Sequence, residues 1–423
     1  MKRYSTYKDS GVKWIGEIPS HWKIKSLRNF ISITSDKGHP KEQLLSVVRE
    51  QGVIIRNVDS KEENHNFIPD DLSGYKLVKE GQLVINKMKA WQGSYAVSNF
   101  RGIVSPAYYT CNLKFSNKDF FNEAIRSKAY VPFFTQYSKG IRVGQWDLSP
   151  IGLKEIPFFL PTETEQRAIV SFLDTELGKI DTYMDKEQQL IERLKELKQS
   201  LIARAVTHGI NPNVKMKPSE INWIGEIPEH WNVKRLGSHF IENRHINSEF
   251  TVTEAYKFNY GTLIRKDIDV NLKEVEDIYR KYTLLNKDDI VINGLNLNYD
   301  FISQRVAKAE TKGIITSAYL VLTPRKGVDV NYFCYLFKAM DSQKLFHGMG
   351  SGIRLTLSFE DLKSQLLPIP PLSEQRAIVD YLQDKTSKID KLITEKTRKM
   401  EYMKELRQRI ISDAVTGKID VRS

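Results

Sequence analysis

The sequence predicts an α+β protein built twice over. Two α/β globular heads are separated by an antiparallel coiled coil of two long helices, related by a pseudo-twofold internal repeat at an offset of 209 residues. Three observations predict this. The stretch Glu165-Gln166-Arg167-Ala168-Ile169-Val170 recurs letter for letter as Glu374-Gln375-Arg376-Ala377-Ile378-Val379. The box Trp14-Ile15-Gly16-Glu17-Ile18-Pro19-Ser20-His21-Trp22 recurs, with one change, as Trp223-Ile224-Gly225-Glu226-Ile227-Pro228-Glu229-His230-Trp231. Behind each Glu-Gln-Arg stretch runs a helical pattern in which Lys179-Ile180-Asp181 matches Lys388-Ile389-Asp390, and Ala205-Val206-Thr207 matches Ala414-Val415-Thr416. A single offset that serves separate segments is a duplication, not a coincidence.

Taken in order, residues 1–160 form the first head. Its tryptophan box, with Gly and Pro between apolar anchors, reads as a rigid turn that seats the N-terminal segment on the domain. Residues 52–55, 75–78, 83–85 and 103–113 read as strands, rich in β-branched and aromatic side chains with turn residues between them. Residues 118–137 read as one helix carrying Phe120, Phe121, Ala124, Ile125 and Ala129 on one side, broken or bent at Pro132.

Residues 161–208 form the first spacer helix, with Thr164 as the expected N-cap and Ser373 as its counterpart in the second copy. Ile169, Leu173, Leu177, Ile180, Met184, Leu190, Leu194, Leu197 and Leu201 recur mostly in steps of three and four, the seam of a coiled coil. A Gly-, Asn- and Pro-containing linker follows at 209–218. The second head spans 219–370 and the second spacer helix 371–417, with Ile378, Leu382, Ile389, Ile393, Met400, Met403, Leu406 and Ile410 on its seam; a short tail covers 418–423. Each helix is about 45 residues, roughly 65 Å if straight. So long a seam needs a partner, and the duplication supplies one.

The second head keeps the plan of the first but not its letters. Leu285-Asn286-Lys287-Asp288-Asp289-Ile290-Val291-Ile292-Asn293 parallels the stretch ending Leu83-Val84-Ile85-Asn86, and Gly352-Ile353-Arg354 parallels Gly140-Ile141-Arg142. A helix at 330–346 parallels 118–137. The loop after the core strand differs: Lys87-Met88-Lys89-Ala90-Trp91-Gln92 in one copy, Gly294-Leu295-Asn296-Leu297-Asn298-Tyr299-Asp300 in the other. One scaffold is thus expected to present two different surfaces.

The net charge of +12 favours a polyanionic partner, most simply nucleic acid, through phosphate neutralisation. Cys111 and Cys334 lack CxxC spacing, which argues against a zinc site or a disulfide scaffold. No apolar run approaches the length of a membrane span and the first residues lack a signal core, so a cytoplasmic protein is expected. The eight histidines show no metal-ligand spacing, and there is no phosphate-binding Gly-x-x-x-x-Gly-Lys loop and no Gly-x-Ser-x-Gly. Phe346-His347-Gly348-Met349-Gly350 matches an S-adenosylmethionine-binding pattern, but it follows a predicted helix, not a strand, and no partner catalytic motif accompanies it. No catalytic residues and no metal are therefore assigned.

Long polar side chains beside glycines, in the loop just past a core strand and in the loop after the helix, suit contacts to base edges and phosphates, and the repeat alignment carries both positions to the second head. The candidates are Lys87, Lys89, Gln92, Arg142 and Gln145 in the first head, and Asn293, Asn296, Asn298, Arg305 and Arg354 in the second.

At this point the chain resembles the specificity (S) subunits of type I restriction–modification systems. The resemblance covers nearly the whole chain. Its most specific parts are the two Glu-Gln-Arg-Ala-Ile-Val helix starts behind a Pro-containing apolar segment, the alternation of variable head with shared helix, and the Gly102-Ile103-Val104-Ser105-Pro106-Ala107-Tyr108 stretch. It implies two target recognition domains reading the halves of a bipartite, non-palindromic double-stranded DNA sequence, with the helices as a ruler. It also implies two methylation (M) subunits docked on the helices, where Gln166, Arg167, Gln375 and Arg376 are the docking candidates, and restriction (R) subunits bound further out. S-adenosylmethionine, ATP and Mg are expected in those partners, and none in this non-enzymatic chain. The rival expectation is a coiled-coil scaffold that joins protein ligands without DNA readout.

Overall fold

The structure is a computed structural model and describes residues 2–57, 68–140, 146–266, 272–350 and 355–422. The chain forms two compact units, Met1–Glu187 with Arg398–Ser423, and Gln188–Thr397. Each therefore holds one head, the start of the helix that leaves it, and the end of the other helix.

The first head is built on a four-stranded antiparallel sheet in the order Ile31–Thr34, Tyr108–Leu113, Leu83–Asn86, Tyr95–Val97. Successive side chains of a strand face opposite sides. Leu83 and Ile85 accordingly enter the main core, while Val84 joins Leu45, Val47, Val53, Val78, Ala96 and Val104 on the other face. That second layer comes from the hairpin Leu45–Val48 with Gly52–Ile55, and from the pair Lys76–Val78 with Gly102–Val104. Burial on both faces explains why the core strand reads as an uninterrupted apolar run.

The expected helix over 118–137 is two helices, Lys118–Arg126 and Val131–Gln136. Pro132 lies in the first turn of the second, where its missing N–H leaves no hydrogen bond unmade. The main core runs on through Phe120, Phe121 and Phe158 to Ile169, Leu173, Leu177 and Ile180 of the first long helix and to Ile410, Ile411, Ala414 and Val415 of the second. Head and helices share one core, so this joint is rigid.

The second unit repeats the plan. Its sheet order is Phe240–Glu242, Leu320–Pro324, Ile290–Ile292, Val306–Lys308. Ile290 and Ile292 enter a core with Ile378, Val379 and Leu382 and with Ile202, Ala205 and Val206, whereas Val291 faces a second layer with Leu285, Ile315 and Val321. The helix at Val330–Ser342 is followed by a short 3-10 turn, Leu345–Gly348.

The long helices are Glu163–His208 and Leu372–Val415. In the first unit they run antiparallel, with Arg407 Nε 3.2 Å from Asp181 and Arg422, just past the second helix, 3.7 Å from Glu165 at the start of the first. In the second unit Lys198 Nζ lies 2.6 Å from Asp390, and Gly209 lies against Glu374, the same antiparallel sense.

The seam differs from the expected one in the later part of the first helix. Ile191, Ile202 and Ala205 are buried, while Leu190 is 40% and Leu197 53% exposed. The buried line runs one position beyond the leucines, because the partner helix and the head, not the leucine spacing, decide which flank is covered. The cap also differs. Thr162, not Thr164, opens the first helix: its amide and hydroxyl donate to Glu165 Oε2 at 3.0 and 2.9 Å, and its Oγ1 accepts from the Glu165 amide, a capping box. In the second copy Pro371 stands there and Ser373 lies inside the first turn; the amides of Glu374 and Gln375 donate to the Pro371 carbonyl instead.

Candidate nucleic-acid interface

In each head the loop leaving the core strand meets a second segment from after the helices. In the first head the Lys87 carbonyl accepts from the Leu148 amide at 3.0 Å, Lys87 Nζ lies 3.2 Å from Asp147 Oδ2, and the Trp91 and Trp146 rings stand 5.3 Å apart. The two loops singled out from the sequence are thus neighbours. Lys89 and Gln92 are exposed on a 3-10 turn, Ala90–Gln92, that Gly93 closes with φ of +94°, a conformation open to glycine. Arg142 and Gln145 lie outside the described residues, as does Arg354.

In the second head the Gly294 carbonyl accepts from the Leu357 amide at 3.0 Å, the counterpart of the Lys87–Leu148 bond. A Cβ at Gly294 would meet Leu357 at 2.8 Å, so the close approach needs glycine. Asn293 is half-buried and its Oδ1 accepts from the Leu295 amide at 3.2 Å, Asn296 is exposed with a left-handed φ of +53°, and Asn298 is half-buried with its Oδ1 enclosed.

Arg305 departs from its expected role as a contact. It is fully buried, donating to the carbonyls of Asn293, Leu295 and Asp300 at 3.0, 2.8 and 2.6 Å. Five donors on a planar fork allow one arginine to hold three turns of backbone, so it shapes the loop from inside. His347 Nε2 lies 3.0 Å from the same Asp300 carbonyl, and the Phe301 ring stacks on His347 at 4.7 Å. Hydrogen bonds from Ser303 and the Ile302 amide hold the Asp300 carboxyl down to about 2, against the opposing effect of burial. The loop is preformed. It belongs to the glycine-containing 346–350 stretch only as packing: Phe346 is in the core and Gly350 lies against Leu297 and Leu355.

At the helix starts, Gln166 and Gln375 also differ from expectation. Both are buried, and their side-chain amides donate to the carbonyls of Pro161 and Pro370 at 3.1 and 2.9 Å. They fasten the strand to the helix and are closed to a partner, whereas Arg167 and Arg376 are exposed. What the sequence left unassigned is the meeting of its two repeated motifs. His21 of the first tryptophan box lies 2.8 Å from Glu165, and His230 of the second lies 2.7 Å from Glu374. The identical spacing of box and helix start was the available signal. It arises because the strands Lys23–Ser26 and Asn232–Arg235, just after each box, pair with Pro157–Leu160 and Leu366–Ile369, just before each helix.

Among the described residues there is no group of three or more His, Cys, Asp or Glu placed to hold a metal, and no helix long and apolar enough to cross a membrane. Both cysteines are buried, and burial pushes the Cys111 thiol up to about 12.

Residues 228–402 match the type I restriction modification DNA specificity domain. The chain is 24% identical to the type I restriction enzyme MjaVIII specificity subunit of Methanocaldococcus jannaschii, over 99% of this chain and 98% of that one. It is also 24% identical to the EcoBI specificity subunit of Escherichia coli, over 72% of this chain and 66% of that one. A solved structure from work on complex assembly and conformational transition of the type I R-M system shares the fold, with a TM-score of 0.67 at 15% identity, over 95% of this chain and 99% of that one. The specificity-domain match lies in the second half of the chain, and the relatives that align with it nearly end to end are specificity subunits of type I restriction–modification systems, the proteins this chain is similar to along its length.

Proposed function

We propose that this DNA specificity subunit reads a bipartite, non-palindromic duplex sequence, one half with each head, and positions methylation and restriction subunits on it. The observation that carries the reading is the pair of loops after the core strands. They occupy the same place in the same sheet order and present different side chains, Lys89 and Gln92 in one head and Asn296 in the other. A reader with equivalent heads and unequal loops matches two unequal half-sites. The long helices set the spacing between those halves. Lys87, Lys89, Gln92, Arg142 and Gln145 contact the first half-site, and Asn293, Asn296, Asn298 and Arg354 the second.

Arg167, Arg376 and the exposed Leu190 and Leu197, one heptad apart, form part of the docking surface for the two methylation subunits. Those partners supply S-adenosylmethionine and the adenine chemistry, with the target base flipped out of the duplex; the restriction subunits supply ATP, Mg and the nuclease. The test is an exchange of residues 30–150 for another recognition domain, followed by N6-methyladenine mapping in a host that carries the partners. One half of the methylated sequence changes and the other stays. A change in both halves, or in neither, refutes the two-headed reading.

A further inference from the structure

The second head exposes an apolar cluster at the end of its sheet that is larger and more exposed than the pair Val48 (37%) and Met88 (43%) at the corresponding places of the first head. In the loop between Ile290–Ile292 and Val306–Lys308, Tyr299 is 79%, Phe301 54% and Ile302 88% exposed. Beside it stands the tip of the hairpin Tyr256–Asn259 with Thr262–Arg265, where Tyr260 is 65% exposed and Gly261 packs on Gln304 of the same loop. In the first head the corresponding hairpin tip carries the exposed Arg49 and Glu50, held by hydrogen bonds from Arg126, and the neighbouring loop carries Lys89 and Gln92.

Exposed aromatic and branched side chains are costly to leave in water, and a loose loop would fold them away. This loop cannot. Arg305 grips three of its carbonyls from within, Asp300 Oδ1 accepts the amides of Ile302 and Ser303 at 3.1 and 2.9 Å, and Phe301 is pinned on His347. The outcome is a braced loop on which Ile302 and Tyr299 are the most exposed apolar side chains, with Tyr260 on the neighbouring hairpin tip. DNA-binding proteins that kink the duplex insert apolar side chains of this kind between base steps. Burying the wedge between the bases offsets the unstacking of the step, and a preformed wedge loses no further entropy on insertion. A polar partner surface would leave the cluster unsatisfied, whereas an opened base step presents apolar faces of the right size.

The geometry points to residues 299–302, flanked by Tyr260, as an apolar wedge with which the second head opens a base step in its half-site, while the first head reads with charged and amide groups. This inference rests on the DNA-reading function proposed above. The test uses the full chain assembled with its methylation subunits and duplexes of the mapped target that carry 2-aminopurine at successive positions of the second half-site. With the unaltered chain, fluorescence rises at a step other than the methylated adenine. The double variant Tyr299→Ser with Ile302→Ser abolishes that rise and weakens target binding at least tenfold, with an unchanged melting temperature, and Ile302→Leu restores both. Target binding and methylation undiminished in the double variant overturn the wedge and leave the DNA-reading function standing, as does the absence of any such rise with the unaltered chain. An unaltered complex that shows no preference for the target overturns the function itself.

Discussion

His21 Nε2 lies 2.8 Å from Glu165 Oε1, and this contact is where the two repeated motifs of the chain lock together. Glu165 is buried and serves three elements at once: the box through His21 and the Trp22 indole, the helix start through Thr162, and the tail through Arg422 at 3.7 Å. Its repeat partner Glu374 keeps the histidine, at 2.7 Å, but is more exposed and has a proline where the threonine cap would be. Glu165→Ala is therefore expected to lower unfolding stability by about 2 kcal/mol, and Glu374→Ala by about half as much. Denaturant unfolding of the two variants checks this; equal losses would mean that the cap contributes nothing.

Burial pushes the Glu165 carboxyl up, but the hydrogen bonds from His21 and Thr162 outweigh it and hold the group below its ordinary value of 4.5. A depressed folded-state pKa gives a contribution that is fully present above the unfolded-state value and is lost as pH falls through the folded one. The stability gap between the wild-type protein and Glu165→Gln should thus shrink as pH falls below the 4.5 mark. Urea midpoints across that range measure it, and a gap that widens in acid contradicts the assignment.

Arg305 and Lys89 should behave in opposite ways on substitution. Arg305→Met removes the guanidinium donor from the carbonyls of Asn293, Leu295 and Asp300, of which Asp300 keeps His347 Nε2 within 3.0 Å, so a loss of roughly 3 kcal/mol in stability is expected, with raised amide exchange across residues 293–302. Lys89 is exposed, so Lys89→Ala should leave melting unchanged and weaken duplex binding. Its binding constant should fall less steeply with salt, by about one unit of logarithmic slope, as for one lost phosphate contact. Titrations at several salt concentrations decide it; a large melting shift for Lys89→Ala would place it among the structural residues.

The C-terminal segment is built into the first unit. Ile419 is buried in the same core as Trp22 and Ile169, and Lys418 Nζ donates to the Ile15 carbonyl at 2.6 Å. Gly417, with φ of +72°, packs directly on Pro19 and Trp22. Ile419→Ala should cost about 2 to 4 kcal/mol, the range for truncating a buried isoleucine. Thermal unfolding is the measurement; no shift would show that the segment merely lies on the surface.

Leu197 and Ile202 separate the outer face of the first long helix from its seam. Ile202→Asp places a charge in the core of the second unit and should unfold it, whereas Leu197→Asp, at a position 53% exposed, should leave folding intact and reduce co-purification with the methylation subunit. Retained co-purification for Leu197→Asp would remove that leucine from the docking surface.

The sequence by itself determined the duplication, the order of heads and helices, and the surfaces on which the two copies diverge. Repeats, strand alternation and helical steps are local patterns that survive without knowledge of the fold. Both long helices, the core strand at Leu83–Asn86 and the shared plan of the heads follow from them. Only the tertiary structure decided which way individual side chains point. Arg305, Gln166 and Gln375 read as long polar reachers, yet each turns inward, because a buried loop or strand end needs a donor for its carbonyls more than the surface needs another polar group. The seam passes through Ile191 and Ile202 and leaves Leu190 and Leu197 outside for the same kind of reason. Periodicity locates an apolar face to within a residue, and the partner packed against it selects the line that is buried.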